Sequence, residues 1–161
     1  MSPVTLRLEG AEPLERALRR SPAVVAAAQQ QAMTASLLLV EGDARRNVRH
    51  DTRRLMNSIT HQVAGRGNTL VGRVGPSAGY GLYVERGSRP HWPPIAALRG
   101  WARRHNISPY AVQRSIARKG TRARPFLLPA FTKNAPAIVR LFARAGAAVT
   151  AEIATESRGR A

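Results

Sequence analysis

Histidine, acidic and serine side chains are the groups from which a catalytic or metal site would be built here, since the chain has no cysteine. The four histidines, His50, His61, His91 and His105, lack the spacing of metal ligands. The nine acids are scattered, so a hydrolytic pair of carboxylates has little support. The glycines at 65, 67, 79 and 81 lack the rest of a phosphate loop, and no serine occupies a nucleophile elbow. We therefore predict no catalysis, no metal and no cofactor.

Arginine is the most abundant charged side chain of the sequence. The 161 residues include 24 arginines and two lysines, which give a net charge of +17. No acid occurs between Glu85 and Glu152, an interval that holds 13 basic residues. Because arginine binds phosphate or carboxylate in a planar, bidentate geometry, this field indicates a polyanionic partner, either nucleic acid or an acidic protein surface. The alternative is a coding bias toward arginine and alanine, with the charge serving solubility.

Most of the candidate contacts lie in two predicted short helices, residues 95–105 and the helix that begins at Ser108-Pro109. Such a basic helical hairpin could pass for a helix-turn-helix, but its side chains suit phosphate contact better than base reading. A helical flap without a binding role is the other interpretation. The candidate contacts to DNA or an acidic partner are Arg99, Arg103, Arg104, Arg114, Arg118 and Lys119.

Length and apolar content fit a single domain with its own core. The most apolar region, residues 22–40, is interrupted by glutamines 29–31 and falls short of a membrane span. No basic and apolar leader opens the sequence, so we expect a soluble, intracellular protein without membrane contact. The predicted organisation is one domain over residues 1–161, with a helical insert at 94–119 and a flexible tail at 157–161.

Helices are predicted on both sides of a central segment. Val4, Leu6 and Leu8 alternate as in a short strand, and a short helix follows at 12–20. Ser21-Pro22 predicts the start of a long helix that ends near Asn47. Residues 132–155 form the last predicted helix. The predicted buried faces are Val25, Ala28, Ala32, Ala35 and Leu39 on the long helix, and Ile138, Leu141, Phe142, Ala145, Val149 and Ile153 on the last.

The central segment, residues 51–94, is the part most likely to contain sheet. Apolar residues alternate over 59–63 and again over 70–74, with a glycine-rich link between them, which predicts a β-hairpin. Glu85 lies near Arg86 and Arg89, so we expect either a partly buried ion pair that fixes the turn or a surface acid without a role. Together these patterns predict an α+β fold. Its small antiparallel sheet would pack against a long N-terminal helix and a C-terminal helix, with the basic helical hairpin as an insert.

Three motifs resemble those of the head–tail joining and tail-completion proteins of long-tailed, double-stranded-DNA bacteriophages, minor tail components often compared with the lambdoid tail protein Z. They read DTRRLMNSI at 51–59, YGLYVERGS at 80–88 and ARPFLLPA at 123–130. Arg53 stands where the family has glycine, and Ser88 where it has threonine. The family-motif residues are Asp51, Thr52, Leu55, Ser58, Ile59, Tyr80, Tyr83, Glu85, Gly87, Arg124, Pro125 and Phe126.

The resemblance implies a structural virion protein at the neck or tail top, assembled in the host cytoplasm as a ring of identical subunits, for instance a hexamer. It would complete the tail and join it to the DNA-filled head, touching neighbouring neck and tail proteins and, as a further option, the genomic DNA in the channel. A basic nucleic-acid-binding protein that contacts phosphates through residues 94–124 is the alternative. A toxin-like or ribosome-associated basic protein is a more distant one.

Overall fold

A computed structural model gives the structure of residues 11–49, 51–66 and 69–158, with side chains between residues 21 and 155. Six helices and one two-stranded antiparallel sheet occupy this part of the chain, so the predicted α+β class is confirmed. The elements are α1 Ala11–Asn47, α2 Arg54–Asn57, β1 Ile59–Ala64, β2 Val71–Pro76, α3 Gly81–Arg86, α4 Ile95–Arg104, α5 Pro109–Lys119 and α6 Leu127–Arg158.

Helix α1 is continuous, with Pro22 inside it. The predicted helix start at Ser21-Pro22 is therefore wrong, although the predicted end near Asn47 is confirmed. Proline removes one backbone hydrogen bond and crowds the preceding turn, and the long helix on both sides of residue 22 outweighs that local cost. The strand predicted from Val4, Leu6 and Leu8 lies outside the described residues.

The buried face of α1 runs through Ala32, Leu37, Val40 and Ala44, and Val48, just past the end of the helix, is also buried. Leu39, predicted to be buried, is exposed, because the buried stripe follows Leu37 and Val40 and leaves residue 39 on the other side of the helix. A Cβ atom at Gly72 of β2 would come within 2.5 Å of Met33 Sδ and 3.0 Å of Leu37 Cδ1. The strand thus approaches α1 closely because residue 72 has no side chain.

Strands β1 and β2 confirm the predicted hairpin. Burial alternates along β1, with Ile59, His61 and Val63 on the less exposed face. The amide N–H of Ser77 donates to the carbonyl of Ser58 at 2.8 Å, which joins the two chain segments beyond the strand ends. The alternation of apolar residues at every second position therefore predicted both strands correctly.

The chain divides into two compact units. One unit, which we call the motif unit, consists of Glu41–Thr60 and Gly75–Thr132. The other contains His61–Val74 together with the described parts of residues 1–40 and 133–161. All three sequence motifs lie in the motif unit, although 20 residues separate the first from the second and 34 separate the second from the third.

Helices α4 and α5 pack against each other, which confirms the predicted helical hairpin. Pro94 precedes the first helical residue of α4, and Pro109 occupies the first turn of α5. Gln113 donates a side-chain hydrogen bond to the carbonyl of Pro93 at 2.9 Å, and Ala102 is buried. An antiparallel bridge between Ser88 and Thr121 joins the chain on either side of the hairpin.

Helix α6 begins at Leu127, five residues before the predicted start at 132. Pro129 lies in its first turn, where the backbone N–H groups have no partner within the helix, so proline is tolerated there. The helix continues to Arg158, so residues 157 and 158 of the predicted tail are helical, and 159–161 lie outside the described residues. The predicted stripe is half-buried along its whole length: Ile138, Leu141, Phe142, Ala145, Val149 and Ile153.

One helical segment in the described part of the chain, Ser21–Asn47, is long and apolar enough by composition to cross a membrane. This is weak evidence, because core helices of soluble proteins meet the same criterion. Glu41 and Asp43 are buried within the protein and pair with Arg45 and Arg46.

Arg53 adopts the left-handed conformation, with φ 58° and ψ −1°, immediately before α2. The turn at which glycine is expected therefore keeps its geometry although residue 53 is an arginine. A residue with a Cβ atom pays about 1 kcal/mol for this conformation, because the Cβ crowds the following carbonyl oxygen.

We expect Arg53→Gly to raise the free energy of unfolding by about 0.5–1 kcal/mol, since glycine removes this steric cost but gains entropy in the unfolded chain. Urea denaturation measures the change. The matched control is Arg54→Gly, which places glycine at a right-handed helical position and should lower stability by about 0.5–1 kcal/mol. Equal destabilisation by both variants would contradict the steric cost at residue 53.

Candidate assembly site

The carboxylate of Glu85 binds the N-terminus of α6. Its Oε2 atom accepts from the amide N–H groups of Phe126 at 2.7 Å and Leu127 at 2.9 Å, and Oε1 accepts from Leu128 at 3.0 Å. The predicted ion pair with a nearby arginine is therefore wrong. The first N–H groups of a helix lack partners within it and carry partial positive charge, so they bind a carboxylate as an arginine would.

The segments on either side of the insert also pair through their backbones. The amide of Arg124 donates to the carbonyl of Val84 at 2.8 Å, and Ser88 and Thr121 exchange N–H···O bonds of 3.1 Å in both directions. Gly87 has φ 75°, and a Cβ atom there would lie 2.5 Å from the Thr121 carbonyl oxygen. Only glycine fits this approach. We call the paired segments, residues 84–89 and 119–124, the ribbon.

Phe126 anchors the third motif in the core of the motif unit. It is 1% exposed, and its carbonyl accepts a hydrogen bond of 3.2 Å from the Asn47 side chain at the end of α1. Ala130, one turn later, is fully buried. Pro125, which is exposed, keeps the preceding residue out of the helical region and so places Phe126 at the start of α6.

The first motif contributes Leu55 and Ile59 to the same unit. Both are buried, and the Ile59 carbonyl accepts from the Arg45 guanidinium at 2.7 Å. Ser58 Oγ donates to the Leu55 carbonyl at 2.7 Å, whereas Thr52 is exposed. A Cβ atom at Gly81 would lie 3.3 Å from Leu55 Cδ1, so the first and second motifs meet at a glycine.

Asp51, the first residue of the motifs, pairs with the insert. The guanidinium of Arg104 donates through Nε to both carboxylate oxygens, at 2.9 and 3.1 Å, and through Nη2 to Oδ2. His105 Nε2 lies 3.6 Å from Oδ1, and the His105 ring stacks on Trp101 with centroids 4.3 Å apart. Arg104, which the sequence predicts as a partner contact, thus also has a partner within the chain.

The hydrogen bonds from Arg104 lower the pKa of Asp51 below its ordinary value, and the positive charges of Arg104 and His105 act in the same direction. The same contact raises the pKa of Arg104. Asp51 therefore stays ionised to lower pH than a free aspartate, and the pair joins the turn before α2 to the end of α4.

The other predicted contact residues of the insert are exposed and form no ion pair within the described part of the chain: Arg99, Arg103, Arg114, Arg118 and Lys119. The ribbon adds Arg86 and Arg89, which the sequence analysis named only as neighbours of Glu85. It also adds Arg122 and the motif residue Arg124. Their grouping depends on the pairing of segments about 30 residues apart, and no local sequence signal carries that pairing.

Large apolar side chains are exposed beside the ribbon. Leu82 and Tyr83 on α3 are 54% and 59% exposed, and Leu128 and Phe131 at the start of α6 are 65% and 56% exposed. Tyr80, also a motif residue, is exposed as well. The motifs therefore build the interior of the unit and at the same time leave apolar residues on its surface, a composition typical of a protein interface.

Metal chemistry has no support among the described residues, where no group of three or more histidine, aspartate or glutamate side chains could hold an ion. The geometry instead consists of a capped helix, a paired ribbon, exposed apolar residues and unpaired cations. These groups can bind and position another macromolecule.

Comparison with known families identifies part of the chain. Residues 12–87 match the family model described as "Bacteriophage HK97-gp10, putative tail-component". The match includes the first two motifs and ends before the insert and the third motif. No curated protein and no solved structure matches the chain.

We expect Glu85→Gln to lower the free energy of unfolding by about 2 kcal/mol. The substitution replaces one acceptor oxygen by an NH2 group that faces backbone N–H groups, and it removes the charge from the remaining hydrogen bonds. Urea denaturation gives the size of the loss, and hydrogen exchange at residues 126–128 gives its location. Glu152→Gln, an exposed acid on α6, is the matched control and should change stability by less than about 0.5 kcal/mol. Equal effects of the two variants would exclude the cap.

The Asp51 carboxyl should titrate with a midpoint below 3.8, as followed by NMR. Because its pKa is lowered in the folded state, the ion pair stabilises the fold above the ordinary aspartate pKa, and this contribution is lost as pH falls through the folded pKa. Arg104→Gln should move the midpoint upward, whereas Arg103→Gln, which removes a neighbouring exposed charge, should leave it nearly unchanged. An unchanged midpoint in Arg104→Gln would show that the pair does not form in solution.

Proposed function

We propose that this chain, whose residues 12–87 match the HK97-gp10 family model of a bacteriophage tail component, forms a ring of identical subunits at the neck or tail top of the virion. The match supports a structural tail protein. The finer role, completing the tail and joining it to the DNA-filled head without catalysis, is our proposal. So are assembly in the host cytoplasm, contact with neck and tail neighbours, and a single domain over 1–161 with the insert at 94–119.

The observation that carries the ring is the uncovered apolar surface of α1. Only 22% of its most apolar window is buried within the chain. Leu38 and Leu39 are both exposed, at 52% and 41%, beside the buried Leu37 and Val40. A monomer that leaves such a face in water loses the free energy that its burial would give, so a partner is expected to cover it. We assign this role to a neighbouring subunit.

The charge of the chain disfavours a two-fold contact through the ribbon or the insert. In a two-fold contact the same patch meets itself, so these cations would face identical cations. A head-to-tail contact places two different patches together, and it closes into a ring when the rotation per subunit permits. The apolar face of α1 can then meet a different surface of the next subunit, including the β-hairpin, where Val71 is exposed.

Binding of nucleic acid through the insert is the second candidate. It is favoured by the exposed, unpaired cations of α4 and α5, which are spread over both helices as phosphate contacts would require. DNA in the channel of a ring would use the same residues, so the two candidates differ in whether the apolar face of α1 is covered by another subunit.

Electron microscopy of the purified protein at high concentration tests the ring. We expect ring particles for the unmodified chain and for Leu82→Gln, which changes an exposed leucine of the motif unit. The double variant Leu38→Gln/Leu39→Gln should remain monomeric, because it places two amides on the face to be covered.

A monomeric protein that binds DNA would give a different result. A chain that stays monomeric at all concentrations, and whose affinity for duplex DNA falls steeply with salt, would reject the ring and support nucleic-acid binding. Circular dichroism of the double variant checks that its helices are retained.

A further inference from the structure

The ribbon carries five basic side chains that have no acidic partner in the described part of the chain. Arg86 and Arg89 lie on one segment, and Lys119, Arg122 and Arg124 lie on the other. All five are exposed. Glu85, the acid nearest to them along the chain, is occupied by three backbone N–H groups at the start of α6.

The backbone pairing concentrates these charges. The hydrogen bonds between Ser88 and Thr121 and between Arg124 and Val84 hold the two segments side by side over a few residues. Like charges held near one another repel, and Glu85, the one acid of the ribbon, accepts its hydrogen bonds from backbone N–H groups of residues 126–128. An arrangement that is costly in isolation becomes favourable when carboxylates or phosphates bind to it, and four of the five cations are arginines suited to bidentate contact.

Exposed apolar residues lie next to these cations. Leu82 is one helical turn before Glu85 on α3, and the amide of Leu128 donates to the carboxylate of that same Glu85. Both leucines are more than half exposed, as is Tyr83. The Glu85 carboxylate therefore fixes two apolar surfaces, one from each helix, beside the basic ribbon.

We propose that the ribbon together with Leu82, Tyr83 and Leu128 is a docking surface for an acidic segment of another protein, one that has apolar side chains between its carboxylates. The inference rests on the proposed function in that the partner would be a neighbouring virion protein. The arginines pair with the carboxylates, and the leucines and the tyrosine ring bury the apolar side chains. Aromatic residues and arginine are the types enriched at protein interfaces, where they contribute most of the binding energy.

Duplex DNA suits this surface less well. Its phosphates would satisfy the arginines, but its backbone offers no apolar group to cover Leu82 and Leu128. A second copy of the chain also fits poorly. Among its described acids, Glu41, Asp43 and Asp51 pair with arginines and Glu85 with the start of α6, which leaves Glu152 as the exposed acid. The described part of a second copy thus offers few free carboxylates, and we assign the carboxylates to a different protein.

Fluorescence anisotropy with three labelled probes tests the proposal on the full chain. The probes are a short peptide of alternating glutamate and leucine, a peptide of equal charge with serine in place of leucine, and short duplex DNA. The ribbon variant is Arg86→Glu/Arg122→Glu/Arg124→Glu. The matched control, with the same change of charge, is Arg99→Glu/Arg114→Glu/Arg118→Glu in the insert.

We expect the glutamate–leucine peptide to bind more tightly than the serine peptide, and the ribbon variant to weaken its binding by about tenfold. The insert control should change that affinity by less than about threefold, and Leu82→Ser/Leu128→Ser should remove the preference for leucine over serine. If the ribbon variant proves misfolded by circular dichroism, Arg86→Gln/Arg122→Gln/Arg124→Gln takes its place.

Three outcomes would overturn the proposal. Equal losses in the ribbon and insert variants would mean non-specific attraction to a basic protein. Equal affinity for the two peptides would exclude apolar contact, and a ribbon variant that loses duplex DNA but keeps the peptide would assign the surface to nucleic acid. Ring formation is measured separately by electron microscopy, so a chain without rings that still binds the peptide would reject the proposed ring and leave the docking surface in place.

Discussion

The hydrogen bonds between the Glu85 carboxylate and the first amides of α6 are the interaction on which the motif unit depends. They connect α3 to α6 across 41–43 residues of sequence. They also satisfy donors that would otherwise lack partners at the end of a 32-residue helix. Glu85 lies in the first segment of the ribbon, and the second segment ends two residues before Phe126. One carboxylate thereby sets the position of the ribbon, of the buried Phe126 and of the exposed Leu128.

Other carboxylates are also engaged within the fold, and this affects which charges remain available on the surface. Glu41, Asp43, Asp51 and Glu85 are each engaged within the chain, whereas the basic residues of the ribbon are not. The ribbon and the insert together hold ten of the 26 basic residues of the chain. Glu85 and Asp51, the acids near them, bind the backbone at the start of α6 and Arg104 on α4. Because these acids are engaged within the chain, the arginines of the ribbon keep their charge available for another molecule.

Each of the two compact units leaves large apolar side chains exposed. In one unit, α1 leaves Leu38 and Leu39 uncovered, and in the motif unit Leu82, Tyr83 and Leu128 are uncovered. A small chain with few aromatic residues gains much of its stability from such side chains when they are buried. The proposed assembly would account for their exposure, because a neighbouring subunit would cover the leucines of α1 and a partner protein those of the motif unit.

The sequence by itself determined what depends on near neighbours: the alternating hairpin, the end of α1, both helices of the insert, the half-buried stripe of α6 and the family motifs. Periodicity and proline placement are local, so they can be read along the chain. Sequence reasoning failed at the start of α6 and at the partner of Glu85, and it did not predict the pairing of Arg104 with Asp51. Each of these depends on a hydrogen-bond partner 41 to 53 residues away. The left-handed turn at Arg53 and the exposure of Leu39 were likewise settled by packing. Only the tertiary structure could bring the ribbon's arginines together, because backbone pairing across the insert decides which charges become neighbours.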